Sequence, residues 1–128
     1  MDIKATSDDG SLPEDNYLAK YLKLLTEAAA KGNRRLDIAQ HLHEHLSEAG
    51  FEEVTETSYK LPMGIWPKQK ELKAIGLFHR EQFLEGIQGI AMGFFTRVLG
   101  WGMDELEVLL AMVRKDVKNP QYHIYWRT

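Results

Sequence analysis

His41, His43 and His45 fall within five residues, and His41 and His45 stand at the i and i+4 positions that let two imidazoles on one helix face share a metal ion. The order is H-x-H-E-H and not H-E-x-x-H, His43 points elsewhere on a helix, and no cysteine or third ligand is fixed nearby. The expectation is therefore the margin of an amphipathic helix with no metal. A second set, Trp66, Phe78, His79, Gln82, Phe83, Met92 and Phe95, combines aromatic surface with a few polar groups, the make-up of a small-molecule pocket. Spacing alone favours reading the same residues as ordinary core. His79 and Glu85 are its candidate acid/base groups. Gly86, Gly89 and Gly93 lie inside a helical pattern at a cost of roughly 0.5–1 kcal/mol each, which predicts a compensating close approach by another helix or backbone. Gly100-Trp101-Gly102 sits between two helices. A phosphate cradle needs its glycines between a strand and a helix N-terminus, so no cofactor-binding residue is assigned.

The elements that must position these groups follow from spacing. Ile3 and Ala5 open a short strand that dissolves into Ser7-Asp8-Asp9-Gly10, a turn signal. Ser11-Leu12-Pro13-Glu14 reads as a capping box for a helix carrying Leu18, Tyr21, Leu22, Leu25, Ala28 and Ala29, which Gly32 ends. Asp37 is the expected cap of a second helix with the stripe Ile38, Leu42, Leu46 and Ala49, closed by Gly50. The β-branched and aromatic residues of Phe51–Leu61 predict a strand. Pro62 through Pro67 then form a loop that presents Trp66. Lys68–Leu99 is helical, with a break expected near Gly76 and a deeply buried second part from Gly86 to Thr96. Asp104 with Glu107 reads as a capping box for the helix of Leu106, Leu109, Leu110, Val113 and Val117, and Asn119-Pro120 stops it. Tyr122–Trp126 opens a last strand.

The 128 residues, with 44% hydrophobic and 27% charged side chains, fit one domain spanning residues 1–128. The absence of cysteine excludes disulfide scaffolds, zinc ribbons and thiol nucleophiles, and leaves an intracellular, cytoplasmic location as the default. A net charge of −3 with scattered basic residues lacks the footprint of a nucleic-acid binder. No apolar run approaches the length needed for a membrane span, and the start of the chain has no signal-peptide core.

Several strings resemble one family in order: Ser7-Asp-Asp-Gly-Ser-Leu-Pro-Glu-Asp-Asn16, Glu48-Ala-Gly-Phe51, Tyr59-Lys-Leu-Pro-Met-Gly-Ile-Trp-Pro-Lys68, Glu81-Gln-Phe-Leu-Glu-Gly-Ile87, Phe95-Thr-Arg-Val-Leu-Gly-Trp101 and His123-Ile-Tyr-Trp126. They resemble the fungal class I S-adenosylmethionine-dependent methyltransferases of secondary metabolism, a family that includes methyltransferase-like regulators. The resemblance implies an α/β remnant, mostly helical: four to five helices and two or three short strands corresponding to the C-terminal end of a Rossmann-like sheet. Met1–Thr6 would end the fifth strand, Val54–Leu61 would form the sixth and Tyr122–Trp126 would begin the seventh, leaving both sheet edges unfinished. The cofactor loop and the acidic residue of the family belong to its N-terminal half, which has no counterpart here.

What the resemblance implies for the site is a substrate side made by Tyr59, Trp66, Gln82 and Glu85, with no residue for the cofactor. Two functions follow. One is the substrate-binding part of a methyltransferase-like protein acting on a fungal metabolite, unable to transfer methyl alone: a truncated remnant, a piece of an incomplete gene, or a subunit completed by a cofactor-binding partner chain. The other is a non-methylating metabolite-binding or cyclase-type protein, or an interaction module, acting as a homodimer through its sheet edges and apolar helix. The location would be the cytoplasm, or the nucleus for a regulator.

Overall fold

The computed structural model describes residues 2–128; Met1, the first residue of the expected opening strand, lies outside them. Chain order is β1 (Ala5–Thr6), α1 (Tyr17–Lys31), a 3-10 turn (Ile38–His41) leading into α2 (Leu42–Glu48), β2 (Lys60–Met63), α3 (Lys70–Ala91), a π-helical segment (Met92–Val98), α4 (Met103–Lys118) and β3 (Ile124–Arg127). Among the described residues, four α-helices and three short strands give the mostly helical α/β composition that the sequence predicts.

The sheet order is β1-β3-β2, antiparallel at both seams. The last strand is thus the central one, paired on both sides, and the edges are β1 and β2. The predicted strand Phe51–Leu61 is displaced toward the C-terminus. Pairing begins where Tyr59 and Thr128 exchange both backbone bonds (2.8 and 2.9 Å) and continues through Leu61↔Trp126 to Met63↔Ile124. Val54, Thr55 and Thr57 have no strand opposite, so their β propensity goes unused. Pro62, expected to end the strand, lies within it. By the alternation of antiparallel pairs its nitrogen points away from β3, and an edge strand tolerates that.

One face of the sheet carries the core, in which Met63, Ile124 and Trp126 meet Leu18, Tyr21, Leu22 and Leu25 of α1 and Leu106, Leu110 and Val113 of α4. Phe95, fully buried, stacks on Tyr21 at 5.7 Å and takes Trp101 edge-on at 5.1 Å. Burying each such side chain stabilises the fold by about 1.5–3 kcal/mol.

The helix starts differ from the predicted capping boxes. α1 begins at Tyr17, where Asn16 Oδ1 accepts from Ala19 N (2.7 Å) and the Asp116 carboxylate of α4 accepts from Tyr17 N (2.6 Å) and Leu18 N (3.3 Å). Ser11 is therefore free for other bonds. α4 starts after Gly102, with Asp104 and Glu105 inside its first turn where they face the positive helix end. Asp37 pairs with Arg35 instead of capping, and Ile38, Leu42 and Leu46 of the second helix stay exposed. Gly50, at φ +96°, closes that helix as expected.

α3 is unbroken at Gly76, which is buried against β2: the Gly76 carbonyl accepts from Gly64 N at 2.9 Å, and a Cβ at 76 would stand 1.9 Å from the Gly64 oxygen. The close approach expected at Gly86, Gly89 and Gly93 occurs here instead. At Gly89 and Gly93 a Cβ would meet nothing within 4 Å. Nor is Gly86–Thr96 deeply buried. Ile87, Ala91 and Phe95 turn inward, while Ile90 and Met92 are exposed, so one stripe of the helix serves the core.

Candidate functional site

β1 and β2 each run antiparallel to β3 and hence parallel to one another. Their carboxyl ends and the amino end of β3 share one end of the sheet, the end at which open α/β sheets bind ligands. Three segments meet there: Ser7–Ser11 after β1, Gly64–Pro67 after β2, and Tyr122-His123 ahead of β3. Gly10 at φ +71° and Gly64 at φ +97° supply the left-handed turns that bend the first two.

Asp9 organises the cluster. Its carboxylate accepts from Ser7 Oγ (2.9 Å) and Ser11 N (3.0 Å) and bonds His123 Nδ1. Ser11 Oγ in turn accepts from His123 N at 2.8 Å. The Ser11 hydroxyl, His123 and Ser7 together hold the Asp9 carboxyl far below the usual carboxylate range. Trp66 stacks on His123 with ring centroids 5.3 Å apart, and its Nε1 donates to the Ile124 carbonyl at 3.0 Å. Beside it Asp8 accepts from Tyr125 Oη at 2.7 Å and pairs with Lys60, whose ammonium lies 4.9 Å from the centre of the Tyr125 ring. The Lys60 bond, followed by the Tyr125 hydroxyl, lowers the Asp8 carboxyl.

A carboxylate only accepts, so the proton of neutral His123 sits on Nδ1 and leaves Nε2 as an acceptor. The arrangement offers an oriented imidazole on an indole face, flanked by fixed carboxylates. That is equipment for binding a flat molecule and for receiving a proton.

The residues expected to form one substrate pocket are divided. Trp66 belongs to the cluster above. Gln82 joins His79, Phe83, Gly86, Ile87 and Ile90 of α3 and Tyr21 of α1 around a separate shallow cleft of about 200 Å³. There burial pushes the Tyr21 hydroxyl up to about 12, and it donates to the Ile87 carbonyl at 3.3 Å. His79 Nδ1 donates to the outward carbonyl of Pro62 (3.0 Å), and its ring meets Trp126 edge-on, so this candidate acid/base group is tied into the edge of β2. Glu85 is exposed and lines neither cleft. Tyr59, two-thirds exposed, lies at the amino end of β2. Phe95 is core, and Phe78 and Met92 are surface residues.

His41 and His45 do stack, 6.0 Å apart, and His41 faces Asp37 and Glu44, while His43 bonds the Val54 carbonyl. Among the described residues no three His, Asp or Glu side chains converge as a metal site, and no helix is long and apolar enough to cross a membrane. Sequence reasoning missed Asp9 and His123, 114 residues apart in the chain. The turn string Ser7–Gly10 and the string His123–Trp126 were the signals, each visible without its partner.

No family model matches the chain, and no solved structure matches it. Curated proteins do. The methyltransferase pytC of Aspergillus terreus is 37% identical over 117 residues, which are 91% of this chain and 36% of that protein. The probable methyltransferase tdiE of Emericella nidulans is 34% identical over 121 residues, 94% of this chain and 38% of that protein. The secondary metabolism regulator laeA of Monascus pilosus is 30% identical over 128 residues, 98% of this chain and 34% of that protein. The resemblance drawn from the sequence holds, and the chain spans about a third of the length of the curated relatives it matches.

Such relatives imply S-adenosylmethionine, and the described residues do not fit it. Of the two strand-to-helix junctions where a cofactor cradle would form, the first has its helix amides engaged and the second offers a single glycine, Gly64, placed six residues ahead of the start of α3. At the first, Asn16 and Asp116 take the amides that open α1. At the second, the Gly64 amide is bonded to Gly76.

Proposed function

We propose that this chain, similar over nine-tenths of its length to methyltransferases of fungal secondary metabolism, provides the ligand side of a methyltransferase-like protein. The ligand, a small metabolite, meets the carboxyl ends of β1 and β2 against Trp66 and His123. The observation that supports this reading is the convergence of Ser7–Ser11, Gly64–Pro67 and Tyr122-His123 at that end of the sheet, where every loop is pinned by its own hydrogen bonds. With no cradle among the described residues, the cofactor site is supplied by residues beyond these 128, on a partner chain or elsewhere, and methyl transfer requires both parts. The chain works in the cytoplasm, or in the nucleus if it shares a role with the relatives named as regulators.

Calorimetric titration of the purified chain with S-adenosylmethionine tests this directly. No saturable heat is expected, and micromolar binding would overturn the assignment of the cofactor to residues outside these 128. A second reading, a homodimeric metabolite-binding protein that transfers no methyl group, is favoured by the exposed apolar residues of α3, with Phe78 74% and Ile90 54% exposed. A dimer mass in light scattering, together with metabolite binding, would select it.

A further inference from the structure

We propose that His123 accepts the proton of a ligand hydroxyl at the carboxyl end of the sheet, with Asp9 as its positioning residue. The proposal rests on the ligand site described above and adds a role within it. His123 is clamped from three directions. Its backbone amide is bonded to Ser11 Oγ at 2.8 Å, its Nδ1 faces the Asp9 carboxylate, and its ring lies on Trp66 at an interplanar angle of 25°. Asp9 cannot swing away, because Ser7 Oγ and Ser11 N hold its other lone pairs. Nε2 makes no hydrogen bond to the described residues, and the side chain is 40% exposed, so this acceptor is open to a ligand.

The other histidines are built differently. His79 and His43 bond backbone carbonyls, and His41 reaches Asp37 and Glu44 only at 3.9 and 3.6 Å on an exposed turn. Among the described residues, His123 is the one histidine with a carboxylate bonded to one ring nitrogen, an aromatic platform beneath it and no hydrogen bond at the second nitrogen. That is the geometry in which a carboxylate orients a histidine base. In the step, the ligand O–H bond breaks and an Nε2–H bond forms. The ligand oxygen keeps the electron pair as an oxyanion, and the imidazolium charge is balanced by Asp9. Trp66 also borders a cleft of about 200 Å³ with Ile65, Pro120, Tyr122, Arg80 and Lys118. His123 does not line that cleft but adjoins it through Trp66 and Tyr122, so a flat phenol seated against these aromatic walls would have to reach His123 at its rim.

The test uses 4-nitrophenol, whose ionised form absorbs at a distinct wavelength, added to the 128-residue chain at a pH below the midpoint of free phenol ionisation. The expected result is a saturable rise in phenolate absorbance that His123→Gln weakens about tenfold, the loss of one charge-assisted hydrogen bond. Asp9→Asn should weaken it and Asp9→Glu restore it. Long-range proton–nitrogen correlation should show neutral His123 protonated at Nδ1, and Asp9→Asn should mix the tautomers, which a merely structural Asp9 would not do. Binding whose phenolate signal is unchanged in His123→Gln, or Nε2 protonation in the neutral form, overturns the role of His123 and leaves the ligand site standing. Absence of any binding overturns both.

Discussion

Replacing Gly76 with alanine should loosen the end of the sheet that holds Trp66. The new Cβ would lie 1.9 Å from the Gly64 oxygen and 3.0 Å from the Gly64 carbonyl carbon, both backbone atoms that no side-chain rotation can relieve. α3 must back away from β2. In doing so it stretches the Gly64 N–H bond to the Gly76 carbonyl (2.9 Å) and the His79 bond to the Pro62 carbonyl (3.0 Å). Overpacking costs about 1–3 kcal/mol, and each weakened bond about 1 kcal/mol. Against this, alanine gains about 1 kcal/mol of helix propensity over glycine. The balance is about 2–4 kcal/mol of destabilisation, equivalent to a fall in Tm of roughly 6–20 °C for a domain of this size. Gly89→Ala is the internal control. Its Cβ meets nothing within 4 Å, so propensity alone should stabilise by about 0.5–1 kcal/mol. Thermal and urea unfolding followed by circular dichroism, with Trp fluorescence for the Trp66 loop, reads both variants. If Gly76→Ala is as stable as Gly89→Ala, the close packing of α3 on β2 is wrong, and with it the placement of Trp66.

Two further predictions concern stability. Asp116→Ala removes the acceptor for Tyr17 N and Leu18 N and should cost about 1 kcal/mol, as loss of a helix cap does, with urea unfolding as the measure. The carboxyls of Asp8 and Asp9 are both depressed, so their stabilisation is fully present above the unfolded Asp value of about 3.9 and is lost as pH falls toward the lower folded values. Unfolding midpoints measured from pH 6 down to pH 2 should fall through that acid window, and the fall should be shallower in Asp8→Asn/Asp9→Asn; equal slopes would show that the two carboxylates are not held as described.

Much of the helical layer was legible because its signals are local. The stripe Leu18, Tyr21, Leu22, Leu25, Ala28 and Ala29 repeats at helical spacing, and all six are buried as that spacing requires. Where tertiary partners decide, the chain alone misleads. Ser11 with Glu14 has the form of a cap, but Asn16 and the distant Asp116 do the capping, which frees Ser11 for His123. Four glycines share one helical run, and only the three-dimensional approach of Gly64 distinguishes Gly76 from Gly89. The β-rich run before Tyr59 lacks a strand to pair with, whereas Pro62 is accommodated because its nitrogen faces outward from an edge. The candidate site was half legible. Trp66 was visible as a large indole in a constrained loop, but Asp9 and His123 become a pair only when the last strand inserts beside the first.

A ligand bound at the carboxyl ends of β1 and β2 would perturb the three segments that meet there. Titrating the isotope-labelled chain with 4-nitrophenol and mapping amide and histidine shifts by NMR measures this most directly. Saturable changes should concentrate at Asp9–Ser11, Gly64–Trp66 and Tyr122-His123. Changes centred instead on His79, Gln82 and Ile90 in the α3 cleft would contradict this placement.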